Sequence, residues 1–193
     1  KNDIKYFVNE ESYSMPRILQ KNDGNYWTDL YVEKLEDEYM GAHCGALDHN
    51  NNFWAGFSTR HFPALQSTIS KYDGADWTFI PKNGDGTSGK ISSIAIDKNN
   101  NVWVTTGGYL GMYNGSTWTF YGPGGFDNFT ALTIDKQDNK WFIDDSEGIQ
   151  KFNAGTFTQY TKQNSSLPGN FVRAIKADSL GNIWLGIDEV GLV

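Results

Sequence analysis

The sequence predicts an all-β protein built from repeated four-stranded units, and three observations support this fold class. Aromatic residues make up 15% of the 193 residues, with 21 Gly and 18 Asn but only 20% charged residues, a composition typical of short strands joined by tight turns. A Trp-containing motif recurs four times, and a second aromatic motif alternates with it. The aromatic content excludes low-complexity disorder, and the single Cys44 excludes a disulfide framework.

The first motif places an Asp six residues before a Trp and an Asn two residues before the same Trp. Its four gap-free copies are Ala46–Trp54, Ala95–Trp103, Thr133–Trp141 and Lys176–Trp184. Asp and Asn hydrogen-bond their own backbone and tolerate left-handed conformations, so each Asp-to-Asn stretch predicts a tight turn. We call the strand before this turn strand a, and the strand that carries the Trp strand b.

The second motif has Asp or Asn four residues before an aromatic residue, with Thr directly after it. Its copies are Asp23–Thr28, Asp73–Thr78, Asn114–Thr119 and Asn153–Thr158. Asp-Gly and Asn-Gly are strong hairpin signals, which predicts a hairpin between a third strand c and a fourth strand d.

A four-stranded unit of about 40 residues with recurring aromatic residues is the signature of a β-propeller blade. Flat side chains fill the space between facing sheets in such a fold. Strand a lies nearest the axis and should carry small residues. Such residues stand four positions before each Asp, at Cys44, Ser93, Ala131 and Ala174.

The motifs divide the chain into about five blades. Their predicted bounds are 1–30, 44–80, 91–121, 129–160 and 172–193. The first blade lacks strand a and the last lacks strand d, which leaves two interpretations open. The chain is either a portion of a larger propeller cut at both ends, or its N-terminal strands complete the final blade. We favour the first, because a protein that ended at Val193 would normally complete its strand pairing at a blade boundary.

Two stretches carry a family resemblance. Asp178–Gly186, with Asn164–Val172 just ahead of it, resembles the two-component-regulator propeller repeat of bacterial periplasmic sensors and of secreted or surface proteins. Asn51, Asn100 and Asp138 stand where Gly is usual in this repeat, and both residue types suit a turn. The resemblance implies a β-propeller in an extracytoplasmic bacterial protein and, in sensor members, recognition of glycans. It carries no catalytic residue.

Other functions find little support in the sequence. The net charge of −7 disfavours nucleic acid, and no apolar run of about 18 residues predicts a membrane span. Asp48–Asn52 and Asp97–Asn101 resemble the start of a calcium loop but lack its Gly at position six and Glu at position twelve. Cys44, beside His43, aligns with the small positions of strand a and is interpreted as a buried small residue. No catalytic motif appears, including the His and acidic residues of the streptogramin B lyase propellers, so we predict no enzyme activity, metal or cofactor.

Variation between the blades predicts the binding face. Propellers bind ligands where the b–c and d–a loops gather at one mouth of the channel, and these loops differ most between the repeats. The predicted ligand-binding residues are His43, Arg60, His61, Phe62, Tyr109, Phe126, Asp144 and Arg173. They would stack on and hydrogen-bond an oligosaccharide.

The sequence therefore predicts a non-catalytic, extracytoplasmic recognition module. If it belongs to a sensor, ligand binding would change packing or dimerisation and signal to a kinase elsewhere in the parent protein. The alternative is a structural or protein-interaction propeller of a secreted or surface protein. Further blades in the parent protein would fit either hypothesis.

Overall fold

A computed structural model describes the chain at residues 5–8, 19–22, 25–30, 41–58, 68–81, 91–122, 129–145 and 147–193. Every regular element in these ranges is a β-strand, and the strands form five sheets in which they follow chain order. This arrangement confirms the predicted all-β class and the predicted order a-b-c-d within a unit.

The first sheet has three strands and the second has four. Their bounds are Lys5–Val8 (β1), Leu19–Asn22 (β2), Trp27–Leu30 (β3), Gly41–Leu47 (β4), Phe53–Ser58 (β5), Thr68–Tyr72 (β6) and Trp77–Pro81 (β7). Sheet 1 contains β1 to β3 and sheet 2 contains β4 to β7, with antiparallel pairing throughout.

Sheets 3 and 4 have four strands, and sheet 5 has three. Their bounds are Ile91–Ile96 (β8), Val102–Thr106 (β9), Tyr109–Tyr113 (β10), Trp118–Tyr121 (β11), Phe129–Ile134 (β12), Lys140–Asp144 (β13), Gly148–Asn153 (β14), Thr156–Tyr160 (β15), Val172–Ala177 (β16), Ile183–Ile187 (β17) and Gly191–Leu192 (β18). Sheet 3 contains β8 to β11, sheet 4 contains β12 to β15, and sheet 5 contains β16 to β18.

The chain separates into two compact units, Lys1–Ile91 and Ser92–Val193. The first unit contains sheets 1 and 2, and the second contains sheets 4 and 5 with sheet 3 from Ser92 onward. The predicted single domain and its blade bounds therefore remain predictions.

In the first unit, the small residues of sheet 2 allow a close approach between strands. A Cβ atom added to Gly56 would lie 2.7 Å from Cys44 Sγ and 2.6 Å from Ile91 Cγ2, so this position has no room for a side chain. Cys44 is half-buried, and its Sγ donates to the Ile91 carbonyl oxygen at 3.8 Å. Cys44 thus occupies a crowded small-residue position of strand a, as predicted, but it is half-buried rather than buried.

In the second unit, sheet 4 packs against sheet 3 on one face and sheet 5 on the other. Successive residues of β13 point to opposite faces: Phe142 joins the cluster shared with sheet 3, and Ile143 joins the cluster shared with sheet 5. The inner strands are also hydrogen-bonded to each other through small side chains. Ser93 Oγ accepts from the Leu132 N–H at 3.0 Å, and Thr133 Oγ1 accepts from the Ala177 N–H at 3.1 Å.

Candidate ligand-binding face

Each of sheets 2 to 5 carries an a–b turn at one of its ends, and each turn is held by the carboxylate of its Asp. Asp97 Oδ1 accepts the backbone N–H groups of Asn99 and Asn101, both at 2.9 Å. Asp97 Oδ2 accepts Asn101 Nδ2 and the indole Nε1–H of Trp103, also at 2.9 Å. The same four hydrogen bonds recur at Asp48, Asp135 and Asp178.

The residue three positions after each Asp has a left-handed backbone. Its φ is 65° at Asn51, 66° at Asn100, 70° at Asp138 and 95° at Gly181. Gly adopts this conformation without steric cost, and Asn and Asp tolerate it best among the other residues. The departures from the usual Gly therefore preserve the turn, as the sequence predicted.

The hydrogen bonds also set the charge state of these carboxylates. Burial acts to raise the pKa of Asp48, Asp97 and Asp135, but the hydrogen bonds from Trp, Asn and backbone groups outweigh it, and each pKa is lowered. Because both oxygens of each carboxylate already bind protein donors, the turns serve as structural supports. Within the described ranges, no group of three or more His, Cys, Asp or Glu residues is arranged to hold a metal ion.

The opposite end of the sheets in the second unit carries turns that differ from one another. The b–c connection of sheet 3 is a two-residue turn with φ of 44° at Gly107 and 75° at Gly108. The connections of sheets 4 and 5 are three residues long, because the flanking pairs are Asp144 with Gly148 and Ile187 with Gly191. Since strand a runs antiparallel to strand b, strands β12 and β16 begin at this same end.

Three of the predicted ligand-binding residues lie at this end of the second unit. Tyr109 is half-buried, with its ring edge against Phe120 at a centroid distance of 6.4 Å. Asp144 is buried, and its Oδ2 accepts Gln150 Nε2 at 2.9 Å. Arg173 is exposed.

The remaining predicted residues lie in the first unit or outside the described residues. His43 lies in β4 of the first unit, at a register shift between Ala42 and Cys44. Arg60, His61, Phe62 and Phe126 lie outside the described residues.

Arg173 is the centre of a small group of exposed side chains. Its Nε and Nη2 donate to Asp188 Oδ2 at 2.8 and 2.6 Å. These hydrogen bonds lower the pKa of Asp188, and the carboxylates of Asp188 and Asp145 together raise the pKa of Arg173. Phe171 is 59% exposed, and its carbonyl oxygen accepts the Asp188 N–H at 3.0 Å. We call Phe171, Arg173, Asp188 and Asp145 the Arg173 cluster.

Sequence reasoning missed Phe171, Asp145 and Asp188. Phe171 entered the sequence analysis only as part of the Asn164–Val172 stretch that carries the family resemblance. A signal for the acidic residues was present, since Asp145 and Asp188 both stand four residues after the Trp of their blade. That shared position places carboxylates in the b–c connections of two successive sheets.

The segment that leads into β16 is held in place by its own polar groups. The Lys162 N–H donates to Asn170 Oδ1 at 2.7 Å, and the Thr161 N–H donates to Asn164 Oδ1 at 2.8 Å. Ser165 Oγ donates to the Thr161 carbonyl oxygen at 2.6 Å. These bonds hold the segment through its own polar groups.

The sheets define the chain as a repeat protein of the propeller-blade type, and two of its repeats match a known family. The model of the two component regulator propeller family matches residues 85–108 and 166–189. Both segments contain an a–b turn with its Asp and Trp. The match confirms the resemblance inferred from Asp178–Gly186. No curated protein matches the chain.

Solved structures confirm the β-propeller fold class. The extracellular domain of the hybrid two component system BT4673 from B. thetaiotaomicron is 18% identical, with a TM-score of 0.71 over 98% of this chain and 25% of that chain. PorZ, a surface component of the type-IX secretion system of Porphyromonas gingivalis, is 17% identical, with a TM-score of 0.69 over 90% of this chain and 28% of that chain. A catalytically inactive variant of virginiamycin B lyase from Staphylococcus aureus is 10% identical, with a TM-score of 0.69 over 95% of this chain and 67% of that chain. The chain thus spans about a quarter of the length of the first two proteins.

None of the elements that the structure describes is a helix with the length and apolarity to cross a membrane.

Proposed function

We propose that the chain is a non-catalytic recognition module that acts outside the cytoplasm and binds a glycan or another polar ligand at the b–c end of its second unit. The observation that carries the proposal is the Arg173 cluster. It combines an exposed aromatic ring, a guanidinium and two carboxylates on neighbouring connections.

The chemistry of this cluster suits a polyhydroxylated ligand. A carboxylate only accepts hydrogen bonds and a guanidinium only donates them. A hydroxyl group of the ligand can therefore donate to the carboxylates and accept from the guanidinium. The ring of Phe171 offers an apolar face for the C–H groups of a sugar. Tyr109 at the neighbouring b–c turn would extend this surface, while buried Asp144 would hold its loop in place through Gln150.

The proposed location and role in a parent protein draw on the comparisons. The repeat family and the similar folds of the extracellular domain of a two component system and of a surface component support an extracytoplasmic location. In a sensor, ligand binding would shift packing or dimerisation and so alter a kinase elsewhere in the parent protein. His43, Arg60, His61, Phe62 and Phe126 remain predictions from the sequence.

The test is a panel of oligosaccharides measured by thermal shift and calorimetry on the full chain. We expect at least one member to raise Tm, and Arg173→Ala to weaken its binding at least about tenfold, because removing one partner of a charged hydrogen bond costs more than about 1.4 kcal/mol. Lys176→Ala is the matched control, since Lys176 is an exposed cation three residues along the same strand.

Binding of no member of the panel would contradict a glycan ligand. Capture of a defined protein partner that Arg173→Ala abolishes and Lys176→Ala retains would support the alternative of a protein-interaction propeller.

A further inference from the structure

Strand a of sheet 4 and strand a of sheet 5 each begin with a β-bulge. The register shifts between Thr130 and Leu132 in β12 and between Val172 and Ala174 in β16. The residue five positions before the turn Asp belongs to the bulge in both strands, and it is Thr130 in β12 and Arg173 in β16. Bulges are over-represented next to active sites, where they re-aim a side chain. Thr130 thus occupies the position equivalent to Arg173 in the neighbouring sheet.

The bulge of sheet 4 also holds its backbone in an uncommon conformation. Ala131, directly after Thr130, has a φ of 36°, on the left-handed side that residues with a Cβ atom rarely adopt. Such outliers persist only where the surrounding structure maintains them, and they cluster at active sites and ligand clamps. The equivalent residue after Arg173 is Ala174, so both positions are followed by a small apolar residue.

The starts of neighbouring strands a lie side by side. Ser93 Oγ accepts the Leu132 N–H at 3.0 Å, and Thr133 Oγ1 accepts the Ala177 N–H at 3.1 Å. In both bonds the donor stands one position nearer its own turn Asp than the acceptor does, so the strands keep a constant offset of one residue. The residues five positions before each Asp therefore form a row across sheets 3 to 5. They are Ser92, Thr130 and Arg173.

The hydroxyl groups of this row are available to a ligand. The side chains of Ser92 and Thr130 are half-buried, and neither hydroxyl has a hydrogen-bond partner among the described residues. Ser93 and Thr133 in the same two strands differ, because each accepts a hydrogen bond from the next strand a. A hydroxyl group both donates and accepts, whereas the guanidinium of Arg173 only donates. The row therefore offers a ligand both kinds of hydrogen bond.

We propose that Ser92, Thr130 and Arg173 form one binding row, and that its ligand is a linear oligosaccharide lying across the starts of β8, β12 and β16. This inference rests on the proposed function and adds to it two contact residues and the shape of the ligand. Neighbouring strands are at least about 4.8 Å apart, so a row across three strands spans roughly 10 Å, which is longer than a single sugar ring. Longer chains should bind more tightly, because each further sugar unit reaches another side chain of the row.

The test titrates the full chain by calorimetry with linear oligosaccharides of glucose, xylose, mannose and galactose, each supplied from the single sugar to the hexasaccharide. Thr130→Val replaces one hydroxyl by a methyl group of similar size, and Ser92→Ala removes the other. Thr158→Val is the matched control, because Thr158 is an exposed Thr on β15, the outer strand of sheet 4. Thermal melts without ligand check that each variant folds.

We expect Kd to fall at least about tenfold from the single sugar to the hexasaccharide of the series that binds. Thr130→Val and Ser92→Ala should each raise the Kd of the hexasaccharide about three- to tenfold, as expected for one neutral hydrogen bond, and Thr158→Val should leave it unchanged.

Two results would overturn the row and leave the proposed function standing. One is a ligand whose binding is weakened by Arg173→Ala but not by Thr130→Val or Ser92→Ala, and the other is equal affinity for the single sugar and the hexasaccharide. Binding of none of these sugars would contradict both the row and the glycan ligand of the proposed function.

Discussion

Aspartate has a different role at each of the two ends of the sheets in the second unit. At the a–b end, each Asp carboxylate accepts four hydrogen bonds from its own turn and the following Trp. At the b–c end, the carboxylates of Asp145 and Asp188 lie in exposed connections next to Arg173. The repeat is strict where the backbone requires a fixed set of hydrogen bonds, and it varies where charged groups are open to solvent.

The largest expected effect is at the a–b end. Asp97→Ala should lower the free energy of unfolding by about 3 kcal/mol, because a buried indole N–H and two partly buried backbone N–H groups lose their acceptor. Trp103, which donates to Asp97, is 4% exposed, so water cannot easily replace the carboxylate. Urea denaturation followed by Trp fluorescence would measure the loss.

The matched control is Asp178→Ala. Asp178 accepts the same four hydrogen bonds, but its partner Trp184 is 44% exposed. Water can solvate the groups that this change releases, so the loss should be clearly smaller than at Asp97. Equal decreases in the free energy of unfolding at the two positions would show that burial of the Trp does not determine the size of the effect.

The second-largest expected effect is a loss of stability at acidic pH, caused by the Asp residues of the a–b turns. Hydrogen bonding lowers the pKa of Asp48, Asp97 and Asp135 in the folded protein. Their stabilisation is complete above the unfolded pKa of about 4 and is lost as pH falls through the lowered folded values. Denaturation midpoints measured from pH 7 to pH 2 should therefore decline steeply below about pH 4.

Asp97→Asn provides the control for this pH dependence. It removes one titrating carboxylate, so the variant should be less stable at pH 7 and should lose less further stability on acidification. If the denaturation midpoint of Asp97→Asn fell in parallel with that of the wild type down to pH 2, the acid sensitivity would not come from the carboxylates of these turns.

The a–b end could be predicted from the sequence because its physics is local. The Asp, the Asn and the Trp lie within seven residues, and the hydrogen bonds among them determine both the turn and the φ of residues such as Asn100. The strand order and the small residues of strand a could be predicted for the same reason, since period and residue size are visible in the sequence.

The b–c end could be predicted only in part because it depends on contacts between distant residues. Arg173 could be selected from its place at the start of strand a, but its partner Asp188 lies 15 residues away across a strand pair. Asp144 was expected to face a ligand, yet its side chain is buried against Gln150.

A smaller effect is expected at the c–d turn of sheet 4. Ala154 and Gly155 have φ of 47° and 86°, the pattern of a type I′ turn, in which Asn-Gly is the favoured pair. Ala154→Asn should raise the free energy of unfolding by about 0.5 to 1 kcal/mol, because Asn tolerates the left-handed conformation better than Ala. Gly155→Ala has the opposite effect on the same turn and should lower the free energy of unfolding. Equilibrium denaturation of both variants would measure the two changes in the free energy of unfolding.

The smallest effect on stability is expected at the b–c end. Arg173→Ala removes an ion pair whose two side chains are 65% and 44% exposed, and exposed pairs contribute little to stability. Its Tm should stay within about 1 °C of the wild type at physiological salt. A thermal melt without ligand measures this change, and a loss comparable to that of Asp97→Ala would mean that the Arg173 cluster supports the fold as the a–b turns do. An unchanged melt combined with weakened ligand binding would instead separate the two ends into one that holds the sheets and one that recognises a ligand.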